Sequence, residues 1–165
     1  YDSLRFSKIN RKQLKAPSST VELLKDGMIK EIARFDAEYF GANRIKVLTS
    51  LYQDSPETCF VSYAGSKTVG YVMCRRGENG YRVAPWVCNP ENPQVARELL
   101  TKCMNIIDQN AKLYVGVPVV NKVAVEILRE FGFEQLSKSI RMRFGKKLED
   151  ERIEGIFGIG GAEKG

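Results

Sequence analysis

Histidine is absent from this 165-residue chain, and tryptophan occurs once. Without histidine, neither a Ser-His-Asp nor a Cys-His machine can be built from this chain alone. Cysteine is sparse: Cys59, Cys74, Cys88 and Cys103 lie about fifteen residues apart, with no C-x-x-C pair. That spacing, with no histidine to assist, gives no zinc site, and no metal is expected. The four thiols read instead as reduced core residues of a cytoplasmic protein. No apolar run approaches the ~18–20 residues of a spanning helix, and the front carries no signal-peptide pattern. A membrane partner is therefore not expected. Nor is nucleic acid, because no basic-aromatic recognition motif is present. The glycine-rich end, GIGG at residues 158–161, lacks the G-x-x-x-x-G-K-[ST] pattern and precedes no helix. It reads as a flexible or paired terminal strand.

What is present suits one globular domain with a sizeable core: 43% hydrophobic and 28% charged residues. The formal charge of +6 serves solubility or an acidic ligand. Tyr1, not methionine, opens the sequence, as expected of a fragment or the back half of a longer protein.

Residues 1–19 are basic and weakly periodic, and Pro17-Ser18-Ser19 breaks them. They are expected to be an N-terminal extension or linker, with Leu4, Phe6 and Ile9 able to make one strand. A short strand at 21–24 precedes two helices, about 26–39 and 43–52, separated by Gly41. Three meandering strands follow, at 59–64, 68–75 and 81–88. Pro85 inside the third argues for an edge, a bulge or a bend. Residues 94–110 then carry Val95, Leu99, Leu100, Cys103, Met104 and Ile107 at helical spacing. Leu113–Val117 reads as a buried strand stopped by Pro118. Asn121 stands where a helix N-cap belongs, Val123, Ile127, Leu128 and Phe131 form a stripe, and Gly132 ends the helix. Residues 134–144 read as a final hairpin strand, and 146–165 as a tail with a short strand. The fold class is mixed α/β, with a largely antiparallel twisted sheet flanked by helices over 20–145.

The segment from Asn121 to Phe133 resembles the N-x-x-A-x-x-L-Y-x-x-x-G-F pattern of the GNAT superfamily of acyl-CoA-dependent N-acetyltransferases. Asn121, Ala124, Ile127, Gly132 and Phe133 fall on its spacing, while Leu128 stands at the tyrosine position. FDAEYFGANR, residues 35–44, resembles a subgroup found as the second half of tandem GNAT proteins. The resemblance implies an acetyl-CoA cofactor, transfer of an acetyl group to a small-molecule or peptide amine, and a tandem GNAT domain or a homodimer as partner. Whether the strands around Cys88 and Val115 splay apart into an open, cofactor-sized cleft is the observation that bears most on these implications. Cofactor contacts are implied at Val87, Cys88, Asn89, Gln94, Ala96 and, toward the pantetheine arm, Asn121.

The chemistry-bearing positions depart from that pattern. In the family a Q/R-x-x-G-x-G/A loop presents free backbone N–H groups to the pyrophosphate. Here Glu91 and Gln94 replace the first two motif residues, and Ala96 takes the last small position. Pro90 and Pro93 each remove a donor. A carboxylate beside a pyrophosphate is repulsive by on the order of 1 kcal/mol or more. Leu128 cannot protonate a departing thiolate, help that typically supplies ~10²–10⁴-fold. Glu31, Asp36 and Tyr39, on the helix that borders the acceptor site in the family, are the candidate bases. Asp36 and Arg44, which flank one bend, read first as an ion pair tying two helices and second as a contact for a substrate carboxylate, and Trp86 as a core residue or the wall of a ligand slot. Two functions therefore stand open: an N-acetyltransferase acting on an amine, and a non-catalytic GNAT-like domain that recognises substrate or supports a catalytic neighbour.

Overall fold

A computed structural model describes residues 2–11, 15, 20–140 and 151–160. In chain order the strands are β1 (Asp2–Ile9), β2 (Val21–Leu23), β3 (Cys59–Ala64), β4 (Lys67–Gly77), β5 (Gly80–Cys88), β6 (Lys112–Pro118), β7 (Glu134–Ile140) and β8 (Ile156–Gly158). The helices are α1 (Ile29–Phe40), α2 (Ile45–Asp54), α3 (Pro93–Ile106) and α4 (Lys122–Glu130). All eight strands share one sheet, ordered β2-β3-β4-β5-β6-β1-β7, with β8 attached to β5. The fold class read from the sequence is the one observed.

The helices end where local chemistry requires. Gly41 closes α1 in the left-handed conformation, φ 68°, which glycine adopts without a Cβ clash. The Asn121 side chain accepts from the Ala124 backbone N–H at 3.0 Å and caps α4. Within α4 the buried side is Ala124, Val125, Ile127 and Leu128. Val123, read as part of the apolar stripe, faces outward instead. The cap sets the helix phase, and Ala124 takes the inward place. Helix α3 stops at Ile106, short of the expected residue 110, because Ile107 is already extended (φ −77°, ψ 142°).

The sheet carries a core on each face. On one side α3 and α4 cover Phe6, Val72, Trp86, Leu113, Val115 and their neighbours. On the other, α1 and α2 cover Cys59, Val61, Tyr71, Met73 and Val87. All four cysteines are buried free thiols, and burial pushes Cys59, Cys88 and Cys103 well above the ordinary thiol pKa.

Asp2–Ile9, inside the segment read as an extension or linker, is an interior strand of the sheet, one place from its edge. β1 lies antiparallel between β6 and β7, pairing Phe6 with Val115 on one side and Gln135 on the other. The far half of the expected final strand, residues 141–144, lies outside the described residues, as does most of the charged stretch after it.

Candidate functional site

The sheet opens between β5 and β6. These neighbours run parallel and pair only at Tyr81–Leu113 and Arg82–Tyr114. Beyond Arg82 the β5 register slips: Val83 faces Cys74, whereas Trp86 faces Val72. One extra residue on β5 therefore sits at Ala84–Pro85: of the edge, bulge or bend that Pro85 suggests, the strand has a bulge. A bulged strand that pairs with its parallel neighbour over two residues only leaves a splay between Cys88 and Val115.

That splay is filled by the chain's own C-terminal segment. Gly158 pairs with Trp86, and Ile156 with Val87. On the opposite side the Ile159 N–H donates to the Gly116 carbonyl at 2.7 Å. Thus β8 and Ile159 bond to both walls of the opening. Phe157 reaches one core against Trp86, ring centroids 5.4 Å apart, while Ile156 reaches the other. Both are fully buried.

Two glycines permit this fit. A Cβ on Gly158 would stand 2.8 Å from the Val83 carbonyl oxygen, and one on Gly155 would stand 2.1 Å from the Tyr39 ring. Neither position has room for a side chain.

Several sequence-predicted residues hold this segment. The Asn121 amide nitrogen donates to the carbonyls of Glu154 (3.1 Å) and Ile156 (2.9 Å). The group implied to reach a pantetheine arm is therefore bonded to the plug. Tyr39 lies beneath Gly155, its carbonyl accepts from the Arg152 N–H at 2.8 Å, and the Arg152 guanidinium sits 5.1 Å from its ring centroid. Burial raises the Tyr39 hydroxyl above its ordinary pKa, against the pull of Arg152. That shift makes its phenolate rarer at neutral pH, the opposite of what a base requires. Val87 gives its backbone to β8 and its side chain to the core.

The other candidate bases are elsewhere engaged. Asp36 is fully buried on α1. It accepts from Arg44 Nε at 2.9 Å and Nη2 at 2.7 Å, and from the Tyr71 hydroxyl. The Arg44 guanidinium also lies 3.3 Å from the Phe40 ring centroid. Of the two readings offered for Asp36, this geometry is the ion pair joining α1 and α2, with a third partner from β4. Burial, with the Asp36 carboxylate beside it, raises Tyr71 far above the usual phenol range. Arg44 is raised as well: desolvation, the largest single effect, opposes its charge, and the hydrogen bonds and charges of Asp36 and Tyr71 together outweigh it. Glu31 accepts from the Thr68 hydroxyl and ties α1 to β4.

The loop before α3 is closed on itself. Asn89 donates its N–H to Val69 (2.8 Å), its Oδ1 accepts from the Glu91 N–H (3.0 Å), and its carbonyl accepts from Asn92 (3.1 Å). Pro93 opens α3 without a donor, and the Val95 N–H is taken by Asn92. Gln94 is exposed, while Ala96 and Cys88 are buried in the core. Leu128 is buried among α3, α4 and the sheet. These residues do not fit an acyl-CoA: its arm would meet β8, and its pyrophosphate a loop whose Asn89, Glu91 and Asn92 donors are already taken, with prolines at 90 and 93 and a carboxylate at Glu91.

The role of β8 was not legible in the sequence. The only signal was the glycine pair at 155 and 158 flanking two large apolar residues, a pattern that equally suits a loose terminus. Among the described residues no group of histidine, cysteine, aspartate or glutamate could hold a metal ion. None of the described helices is long and apolar enough to cross a membrane.

Known proteins share this architecture. Holothin acyltransferase of Pseudoalteromonas sp. (strain SANK 73390) is 26% identical over 152 residues, covering 92% of this chain and 51% of that protein. A crystal structure from Pyrococcus horikoshii, described as an acetyltransferase, matches at TM-score 0.72 and 25% identity over 100% of this chain and 52% of its own. A GCN5-related N-acetyltransferase from Sphaerobacter thermophilus shares the fold at TM-score 0.62 and 12% identity, covering 83% of this chain and 49% of its own. This chain thus spans about half the length of these relatives. The model of the acetyltransferase (GNAT) domain matches residues 32–158, and the chain belongs to that family.

Proposed function

We propose that the protein carrying this chain transfers an acyl group from acyl-CoA to an amine, and that this domain is the half without the cofactor. Its role is to support a neighbouring catalytic unit. The observation that carries this reading is β8 with the adjoining Ile159 lodged in the splay between β5 and β6, β8 paired with Trp86 and Val87 and Ile159 with Gly116. Emptying that space would expose Ile156 and Phe157, two fully buried side chains. At about 1.5–3 kcal/mol each, their burial opposes exchange of the segment for a cofactor arm. The half-length match to the relatives is in keeping with a tandem arrangement, and Leu128 and the closed Asn89–Pro93 loop are consistent with a unit relieved of catalysis.

Titration calorimetry with acetyl-CoA tests the reading. No binding to this chain at millimolar ligand is expected. Saturable binding together with turnover of an amine by the isolated chain would overturn it.

A second reading keeps the transfer on this chain, entered by release of β8. It is favoured by the retained bulge at Ala84–Pro85 and by pairing of β5 with β6 over two residue pairs only. On that reading, removing residues 152–165 would create acetyl-CoA binding.

A further inference from the structure

Large apolar side chains are exposed at one corner of the sheet. Of the seven such residues on the described surface, five fall there: Val119, Val120 and Val123 between β6 and α4, and Leu136 and Ile140 on β7. Val120 is 57% exposed, Leu136 54% and Ile140 74%. The register makes this one surface. The Val119 N–H donates to the Asp2 carbonyl at 2.9 Å, and Asp2 pairs with Ile140 on its other side. Alternation along β7 puts Lys138 and Ile140 on one face, and Leu136 is the extra residue of a bulge opposite Arg5 and Phe6, exposed beside them. Lys138 pairs with Leu4, whose side chain enters the core under α4. Among the described residues, the α4 face of the sheet therefore continues past the helix, uncovered, onto β7.

β7 is also the last strand on this side. Among the described residues nothing pairs with its outer edge. An exposed edge strand carrying isoleucine and leucine is a template for pairing or covering by another chain.

We infer that this corner, built from Val119, Val120, Val123, Leu136 and Ile140, is the docking surface for a second GNAT-like unit in the same polypeptide. Two observations commit the site to that occupant. Holothin acyltransferase and the Pyrococcus horikoshii structure are about twice as long as this chain, which leaves one further unit of similar size in proteins of that kind. Polypeptide preceding Tyr1 would emerge between Val119 and Ile140, because β1 begins there. A unit joined at that point is held beside the patch at high effective concentration. The inference rests on the proposed reading of this chain as one half of a longer acyltransferase.

The test uses the natural polypeptide that contains this sequence. Val120→Glu and Ile140→Lys are combined, both on exposed side chains, with Leu23→Glu on the opposite edge strand as control. Amide exchange of Glu134–Ile140 is expected to accelerate at least tenfold in the double variant and to remain unchanged in the control. Thermal unfolding, cooperative in the parent, is expected to separate into two transitions only in the double variant. Unchanged exchange and melting in the double variant would overturn the inference. So would a natural polypeptide no longer than this chain, or a dimer of copies that the double variant dissolves. The count of acetyl-CoA bound per polypeptide separates this outcome from the functional reading. Two molecules bound would remove that reading and leave the docking result standing on its own measurement.

Discussion

Asp36 shows how much one buried charge asks of its surroundings. Its carboxylate takes two bonds from Arg44 and one from the Tyr71 hydroxyl, so its lone pairs are satisfied away from water. Replacing it with alanine leaves the Arg44 guanidinium and the Tyr71 hydroxyl without their acceptor. The expected loss is about 3 kcal/mol, read by urea unfolding, and Asp36→Ala at parental stability would contradict the ion-pair role. Tyr71 adds a pH signature. Its hydroxyl titrates higher in the folded protein than in the unfolded chain. The stability linked to it is complete below the unfolded value near 10 and declines as pH rises from there toward the folded value. Tyr71→Phe is expected to flatten the alkaline part of the stability–pH curve. The partnership of Asp36 with Arg44 could be read from the sequence because both flank one bend. The third partner could not, because Tyr71 arrives from a strand 35 residues away. Leu128 points the same way: it is packed into the core, so Leu128→Tyr is expected to overpack the site by about 1–3 kcal/mol and to yield no acyl transfer.

Among the elements, β8 has the largest consequence. It is three residues long, too short to persist as a strand alone, and is held by both walls of the splay and by Asn121. Gly158→Val would press a side chain into the Val83 carbonyl and Trp86, with an expected cost of about 1–3 kcal/mol. Trp86 is the single tryptophan and is fully buried. Its emission is therefore expected to shift to the red in Gly158→Val if the segment is expelled. An unshifted spectrum at parental stability would mean that β8 does not close the opening. Asn121→Ala removes a helix cap and two bonds to the plug, so its cost is expected to exceed the ~1 kcal/mol of a cap alone.

On the scale of the whole molecule, burial predicts chemical silence. The thiols of Cys59, Cys88 and Cys103 lie in the two cores with their pKa values raised, and Cys74 is buried beside them. A thiol-specific dye is expected to label none of the four in the native protein and all four in denaturant; rapid native labelling would show that the cores open easily. Much of this architecture could be read from the chain. Alternating and β-branched runs gave the strands, 3.6-residue periodicity gave the helices, Gly41 and Asn121 marked helix ends, and Pro85 marked the bulge. Each of these signals is local: backbone conformation and side-chain phase are set within a few residues. The altered cradle and Leu128 are also local, since they follow from residue identity alone. Sequence by itself could not place Asp2–Ile9 between β6 and β7, nor bring Ile156–Gly158 into the splay. Both are pairings between segments far apart in the chain, and backbone hydrogen bonding carries no side-chain code for its partner. Only the folded sheet decides which edge is open and which segment fills it.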